Sequence, residues 1–201
     1  MGKRIAWMGG SFNPVHTGHL VAASEVADSR YFDRVCFLPS GTPAHKPDIQ
    51  MASAKHRLGM LEAALQEDDR FLISTEELYR SGNTYTFDTM TALGKRFPED
   101  RHFLVVGSDA FLDLQKWHRS EELLQICNFA LVNRSGYSRE AIDRQKAWIL
   151  DRFPCQIQEI EIPDMEISSS DIRRRVRERR TIRYLVPESV AAYINRYDLY
   201  R

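Results

Sequence analysis

Short apolar runs that alternate with amphipathic segments limit the fold of this 201-residue chain more than any other feature. The runs that have the length and composition of buried strands are 5–8, 34–38, 71–74, 102–106, 129–132 and 156–162. Between them, apolar residues recur at helical spacing, for example at Leu58, Leu61 and Leu65. This alternation predicts an α/β protein, in which a Rossmann-like, doubly wound parallel sheet carries helices on both faces.

No repeat, low-complexity tract or linker divides the chain, so we expect a single domain over residues 1–201, with a C-terminal helical part from about residue 168. The one long irregular stretch, 39–52, contains three prolines, which disfavour a helix or a central strand. Loops of this length in a compact domain usually have a function. Because the loop follows the second strand, it lies at the edge where ligands bind in open α/β sheets.

Composition gives no sign of a nucleic-acid or membrane partner. Lys+Arg and Asp+Glu number 28 each, so the charge balance points to neither nucleic acid nor an anionic membrane. No apolar run is long enough to span a bilayer, and the N-terminus lacks the features of a signal peptide. The three cysteines show no CxxC spacing and predict reduced, buried thiols. We expect a cytoplasmic protein, and the sequence leaves its oligomeric state open.

The stretch GGSFNPVHTGHL, residues 9–20, lies between the first strand and the first helix, and it matches neither GxGxxG nor GxxxxGK[ST]. Its paired glycines let the backbone approach a ligand, Pro14 stiffens the turn, and Thr17 is placed to cap a helix. His16 and His19 flank the helix start and can face one point beyond its positive end. The arrangement predicts a phosphate site; a metal-binding histidine pair or two core histidines is the alternative.

A second stretch, ISSSDIRRRV at 167–176, predicts another helix start. Its serines, residues 168–170, can cap the helix, and Arg173 lies one turn further on. Hydroxyls, a helix N-terminus and a guanidinium together suit a polyphosphate. An ordinary cap followed by a solvated basic face is the alternative, and it is the interpretation we favour for the arginines in 174–183.

Together the two stretches resemble the paired signatures of the nucleotidyltransferase superfamily. Within it the chain resembles the bacterial nicotinate-nucleotide adenylyltransferases through LPSGTPAHK at 38–46, TYTFDTM at 84–90, VVGSDAF at 105–111 followed by Trp117, and YLVPESVAAYI at 184–194. The resemblance spans essentially the whole chain. In two places the chain departs from the family pattern: Ser11 replaces the usual Thr, and Asn13 replaces the usual Asp. Asn13 removes a carboxylate, which favours a structural role in the turn.

The resemblance implies that ATP and nicotinate mononucleotide give deamido-NAD and pyrophosphate, by direct in-line attack without a covalent enzyme intermediate. The implied catalytic residues are His16, His19, Lys46 and Arg173. The implied ATP-binding residues are Gly9, Gly10, Ser11, Phe12, His16, His19, Gly107, Asp109, Ser168, Ser169, Ser170 and Arg173. The implied residues for nicotinate mononucleotide are His45, Lys46, Thr86, Trp117 and Arg134.

Three side chains carry the implied specificity. Lys46 suits the phosphate of the mononucleotide, Thr86 offers a hydroxyl and helix-start N–H groups to the nicotinate carboxylate, and Trp117 can stack on the pyridine ring. Mg²⁺ is expected on the ATP phosphates, because the sequence shows no cluster of carboxylates that would form a cage for it.

Two other functions remain open from the sequence. The chain could be another adenylyltransferase of the superfamily, with nicotinamide mononucleotide or phosphopantetheine as acceptor. It could also be a non-catalytic nucleotide- or RNA-binding protein that uses the arginine cluster, although zero net charge argues against strong RNA binding.

Overall fold

The computed structural model describes residues 2–43, 51–80, 82–133 and 136–201. In these ranges the strands are β1 (Arg4–Gly10), β2 (Arg34–Pro39), β3 (Thr42–Pro43), β4 (Phe71–Ile73), β5 (Asn83–Thr84), β6 (Arg101–Gly107), β7 (Asn128–Asn133) and β8 (Ile157–Glu161). The α-helices are α1 (Thr17–Asp28), α2 (Ala54–Leu65), α3 (Thr86–Arg96), α4 (Ser108–Leu112), α5 (Ser120–Ile126), α6 (Arg139–Arg152), α7 (Ser169–Arg177) and α8 (Glu188–Arg196).

One parallel sheet contains the strands in the order β4-β2-β1-β6-β7-β8. Each of the apolar runs singled out in the sequence is a strand of this sheet, and the predicted α/β class is confirmed. The remaining pair, β3 and β5, forms a separate parallel ladder of two residues each. β3 falls within the stretch 39–52. The sequence did not predict this strand, because a strand of only two residues leaves no periodic pattern.

Strands β1 and β6 lie side by side at the centre of the sheet. They pair over Arg4–Trp7 and Arg101–Leu104 and then separate. Beyond that point β1 pairs with β2 alone, through residues 8–10, and β6 pairs with β7 alone, through residues 105–107. A crevice therefore opens between their carboxyl ends, at the position where ligands bind in doubly wound sheets.

Each face of the sheet has its own hydrophobic core, because successive side chains of a strand point to opposite faces. Ala6 and Met8 pack with α1, α2, α7 and α8, whereas Trp7 packs with α3 to α6. The chain after residue 168 contributes Ile172 and Val190 to the first core. That the whole chain is a single domain stays a prediction.

All three cysteines are buried and free, as the sequence predicts. Burial raises the pKa of each thiol, that of Cys36 to about 12. Since the thiolate is the reactive form, none of them is activated as a nucleophile. Among the described helices, none combines the length and the apolar character that crossing a membrane requires.

Helices α2 and α8 pack so closely at Gly59 that a Cβ there would lie 2.4 Å from Oη and 2.7 Å from Cζ of Tyr193. We therefore expect Gly59→Ala to lower the free energy of unfolding by about 1–3 kcal/mol, as overpacking does. The matched control is Gly94→Ala in α3, where a Cβ would meet nothing within 4 Å. That change should raise the free energy of unfolding by roughly 0.5–1 kcal/mol. Urea denaturation measures both, and a gain in both variants would contradict the packing.

Candidate active site

The two glycines that end β1 have different roles. A Cβ on Gly9 would meet nothing within 4 Å, so this backbone borders open space. A Cβ on Gly10 would lie 3.0 Å from the ring of Phe12, so Gly10 is needed for packing. The family resemblance implies that Phe12 binds ATP. The residue is only 1% exposed, however, and its ring packs against that of Phe37, with 5.4 Å between ring centroids. Phe12 therefore belongs to the core, and its ring is not available to a ligand.

His16 and His19 come together at the start of α1, as the motif predicts. Their rings stack with centroids 3.7 Å apart and planes inclined by 25°. The backbone N–H of His16 donates to Nδ1 of His19 at 3.3 Å. Because Nδ1 accepts this bond, a neutral His19 ring carries its proton on Nε2. His19 is thereby arranged as a hydrogen-bond donor through Nε2.

Helix α1 begins one residue earlier than the sequence predicts, with His16 as its N-cap. The hydroxyl of Thr17 donates to the carbonyl of Tyr184 at 3.1 Å, and its N–H donates to the carbonyl of Leu185 at 2.9 Å. A segment far away in the sequence thus satisfies both groups. The capping role predicted for Thr17 is wrong for that reason.

Asn13 joins the first motif to distant parts of the chain. Its side chain is buried, and Oδ1 accepts the N–H of Ala52 at 3.1 Å and the hydroxyl of Tyr200 at 2.7 Å. Its carbonyl accepts Nη1–H of Arg173 at 2.7 Å. The structural role expected for Asn13 therefore extends well beyond the local turn.

Helix α7 brings the second motif against the first. Ser168 is the N-cap, and its hydroxyl oxygen accepts a backbone N–H of the first turn at 3.2 Å. The hydroxyl of Ser169 donates to the carbonyl of Pro14, 155 residues away in sequence, at 2.9 Å. Ser170 Oγ accepts Nη2–H of Arg173 at 3.2 Å. Two helix N-termini therefore meet at the crevice, which the sequence analysis did not predict.

Three arginines of α7 divide into two groups. Asp171 pairs with Arg174 and with Arg175, the latter at 2.7 Å, so one carboxylate offsets part of their charge at the surface. Arg173 is 9% exposed, and no carboxylate of the described residues forms an ion pair with it. Burial lowers the pKa of Arg173, but a guanidinium stays protonated in proteins. Arg173 therefore keeps a positive charge that is available to an anion.

The predicted acceptor residues Thr86 and Trp117 lie on neighbouring segments. The rings of the adjacent residues Tyr85 and His118 stand 4.1 Å apart between centroids. Helix α3 begins at Thr86 with Tyr85 as N-cap, so the capping role predicted for Thr86 is wrong, although its N–H lies in the first turn. Trp117 is half-buried and packs against the second core.

The end of β6 completes the rim of the crevice. Gly107 is the N-cap of α4, and Asp109 is exposed in the first turn of that helix. Both lie at the same edge as Gly9, as predicted. His45, Lys46 and Arg134 lie outside the described residues, so their roles stay predictions.

Two residues of the site were missed by the sequence analysis. Arg57 of α2 is 2% exposed, and Tyr200 near the C-terminus is part of the Asn13 network. A signal existed for Arg57, since it precedes Leu61 and Leu65 by one and two turns on the buried face of α2. An arginine at an inward-facing position requires hydrogen-bond partners.

The described side chains offer no ready-made site for a metal ion. Within the described ranges, no group of three His, Cys, Asp or Glu side chains could hold one. A divalent cation at this crevice would therefore depend on ligand phosphates for most of its coordination.

Burial raises the pKa of the Tyr200 hydroxyl. The group therefore contributes stability below about pH 10, the pKa of an unfolded tyrosine, and this stability is lost as the pH rises further. We expect Tyr200→Phe to lower the free energy of unfolding at pH 7 by about 1 kcal/mol, because the bond to Asn13 is lost. The difference from the parent should shrink at about pH 10.5.

Guanidinium denaturation at both pH values measures this effect. Tyr79→Phe is the matched control, because the Tyr79 side chain is exposed and its change should leave both values unaltered. An equal difference between parent and Tyr200→Phe at both pH values would contradict the role of the buried hydroxyl.

Known proteins match this chain over the regions that contain both motifs. Residues 7–175 match the family model described as cytidylyltransferase-like. The chain is 42% identical over 200 residues to the "probable nicotinate-nucleotide adenylyltransferase" of Geobacillus thermodenitrificans, covering 100% of this chain and 87% of the relative. The protein of the same name from Thermoanaerobacter sp. is 40% identical over 199 residues, covering 98% and 94%.

Among solved structures, the fold is similar to that of the Plasmodium falciparum nicotinic acid mononucleotide adenylyltransferase. Its complex with NaAD superposes with a TM-score of 0.81 at 21% identity, covering 98% of this chain and 97% of that one. Its complex with APC gives 0.78 at 22% identity, with the same coverage. These likenesses concern the fold, and the sequence relatives carry the family assignment.

Proposed function

This chain belongs to the nicotinate-nucleotide adenylyltransferases of the cytidylyltransferase-like family, and on that premise we propose that it transfers the adenylyl group of ATP to nicotinate mononucleotide. The products are deamido-NAD, a precursor in NAD biosynthesis, and pyrophosphate. The observation that carries the proposal is the meeting of two helix N-termini at the crevice between β1 and β6. The bonds from Ser169 to Pro14 and from Arg173 to Asn13 hold them together.

The phosphates of ATP bind between these two helix starts. The helix dipoles of α1 and α7 add partial positive charge there, and the first-turn N–H groups that can bind a ligand exclude those of Thr17 and Asp171, which donate within the protein. His19 donates through Nε2, and Arg173 contributes a full positive charge. Negative charge grows on the pyrophosphate leaving group during transfer, and groups set in place beforehand stabilise it at no cost of reorganisation.

The 5′-phosphate of nicotinate mononucleotide attacks the α-phosphorus of ATP in line, without a covalent enzyme intermediate. Burial and raised pKa values at all three cysteines support the absence of a cysteine nucleophile. Catalysis then consists of holding the two substrates in line and neutralising charge. Mg²⁺, carried by the ATP phosphates, supplies further neutralisation when bound.

The acceptor binds at the start of α3. The first-turn N–H groups around Thr86 receive the nicotinate carboxylate, and Trp117 stacks on the pyridine ring. A carboxylate is favoured over an amide at a helix N-terminus because it carries negative charge. His45, Lys46 and Arg134 are proposed to bind the phosphate end. Gly107 and Asp109 border the adenosine, with the Asp109 carboxylate on the ribose hydroxyls.

The proposed reaction predicts pyrophosphate release from ATP and Mg²⁺ with nicotinate mononucleotide as acceptor. We expect kcat/KM at least tenfold higher than with nicotinamide mononucleotide, a preference of about 1.4 kcal/mol in transition-state binding, and no turnover with phosphopantetheine. A coupled pyrophosphate assay with the three acceptors in parallel measures this. Preference for either of the other two acceptors would keep the ATP site but refute the assignment of Thr86 and Trp117.

Two substitutions at His19 separate its structural and catalytic nitrogens. In His19→Asn, the amide oxygen takes the position that Nδ1 of the histidine occupied. In His19→Gln, the amide nitrogen takes the position of Nε2. We expect His19→Asn to keep the bond from the His16 N–H and the parent stability, but to lose roughly 100-fold to 1,000-fold in kcat. His19→Gln should retain more activity than His19→Asn. Steady-state kinetics with thermal unfolding measures both, and equal activity in the two variants would contradict a donor role for Nε2.

A further inference from the structure

Arg57 lies in the first turn of α2, and its guanidinium binds backbone carbonyls of three segments. Nη1 donates to the carbonyl of Ser11 at 2.9 Å and to that of Ser40 at 2.6 Å. Nη2 donates to the carbonyl of Gly41 at 3.2 Å, and Nε donates to that of Ala52 at 3.2 Å. One side chain therefore connects the turn after β1, the segment after β2 and the residues that precede α2.

The guanidinium is suited to this connection by its shape. Its N–H groups lie in one plane in fixed directions, so the carbonyls that they bind are held at fixed positions relative to one another. A lysine ammonium has three donors around a tetrahedral centre and cannot reproduce the pattern. A second bond at the same place, from the N–H of Ser40 to the carbonyl of Gly10 at 2.9 Å, brings the two strand ends together directly.

Stability alone does not account for a charge at this position. Arg57 is 2% exposed, and none of the ion pairs among the described residues includes it. Burial lowers its pKa, which reflects the cost of removing the cation from water. Even a buried ion pair can often be replaced by well-packed apolar groups without loss of stability, so a buried charge is weak evidence for a stabilising role. An arginine held only by carbonyls is therefore expected to serve the site that surrounds it.

We propose that Arg57 is a positioning residue for adenylyl transfer, because it fixes the ATP-binding turn after β1 relative to the segment that follows β2. This inference rests on the proposed function. The resemblance implies that His45 and Lys46 bind the phosphate of the acceptor, and Arg57 binds the carbonyls of Gly41 and Ala52, which flank that stretch of the sequence. Arg57 therefore sets the alignment of the two reacting phosphates. A displacement of about 1 Å from the in-line geometry lowers the rate by roughly 100-fold.

The test is Arg57→Lys, which keeps the positive charge and removes the planar set of donors. We expect kcat to fall roughly tenfold to 100-fold at a temperature where circular dichroism shows a fully folded protein. The KM for ATP should stay within about threefold of the parent value, because the phosphate-binding groups remain. Steady-state pyrophosphate release with varied ATP and varied nicotinate mononucleotide measures kcat and both KM values.

Two controls separate positioning from general destabilisation. Arg152→Lys makes the same exchange at an exposed arginine. Ile149→Ala destabilises the core on the opposite face of the sheet, where Ile149 is fully buried. Both should keep kcat within about twofold of the parent value while folded. Retention of kcat by Arg57→Lys would overturn the inference, as would an equal loss in Ile149→Ala at a matched Tm.

A second measurement covers the case in which Arg57→Lys does not fold. Arg57→Ala is assayed with added methylguanidinium, which supplies the planar donors without the covalent link. Recovery of kcat by about fivefold or more, with none in Ile149→Ala, supports positioning, and no recovery overturns it. The parent enzyme is assayed in the same series. If the parent releases no pyrophosphate, the proposed function fails, whereas an active parent with an unaltered Arg57→Lys variant refutes only this inference.

Discussion

The separation of β1 from β6 at the centre of the sheet is the constraint on which the rest of this structure depends. The two strands pair over four residues each and then separate, and beyond that point each keeps only its outer neighbour, β2 or β7. Because β1 continues into α1 and β6 continues into α4, the segments that follow the two strands leave the sheet at the same edge but on opposite faces. The crevice, the helix starts that border it and the rim with Gly107 and Asp109 all follow from this separation.

A buried polar network holds the turn after β1 against α2, α7 and the C-terminal residues. Asn13 receives bonds from Arg173 and Tyr200, while Arg57 binds the carbonyl of Ser11 two residues earlier. These are satisfied groups, so burial costs little in unpaired polar atoms. Neither Arg57 nor Arg173 forms an ion pair with a carboxylate of the described residues, so both keep a positive charge beside the turn after β1, which favours phosphate ligands.

Sequence reasoning predicted the features that have a local or periodic signature. All of the strands in the main sheet have apolar runs, and both motifs, residues 9–20 and 167–176, carry short-range signals for a turn and a helix start. It placed Thr17 and Thr86 as caps, whereas the structure begins each helix one residue earlier. Cap positions depend on which backbone groups already have partners, and the partners of Thr17 lie in a segment about 167 residues away.

The sequence by itself determined the alternation of strands and helices, the strand that precedes each motif and the chemistry of His16, His19 and Arg173. These properties depend on residue type and on spacing along the chain. Only the tertiary structure decided that Phe12 belongs to the core, that Asn13 joins three segments and that Arg57 faces four carbonyls. Each of these is a contact between residues distant in sequence. Hydrogen-bond partners across such distances are set by how the elements pack, and a local pattern records at most that a side chain faces inward, as the spacing of Arg57 with Leu61 and Leu65 does.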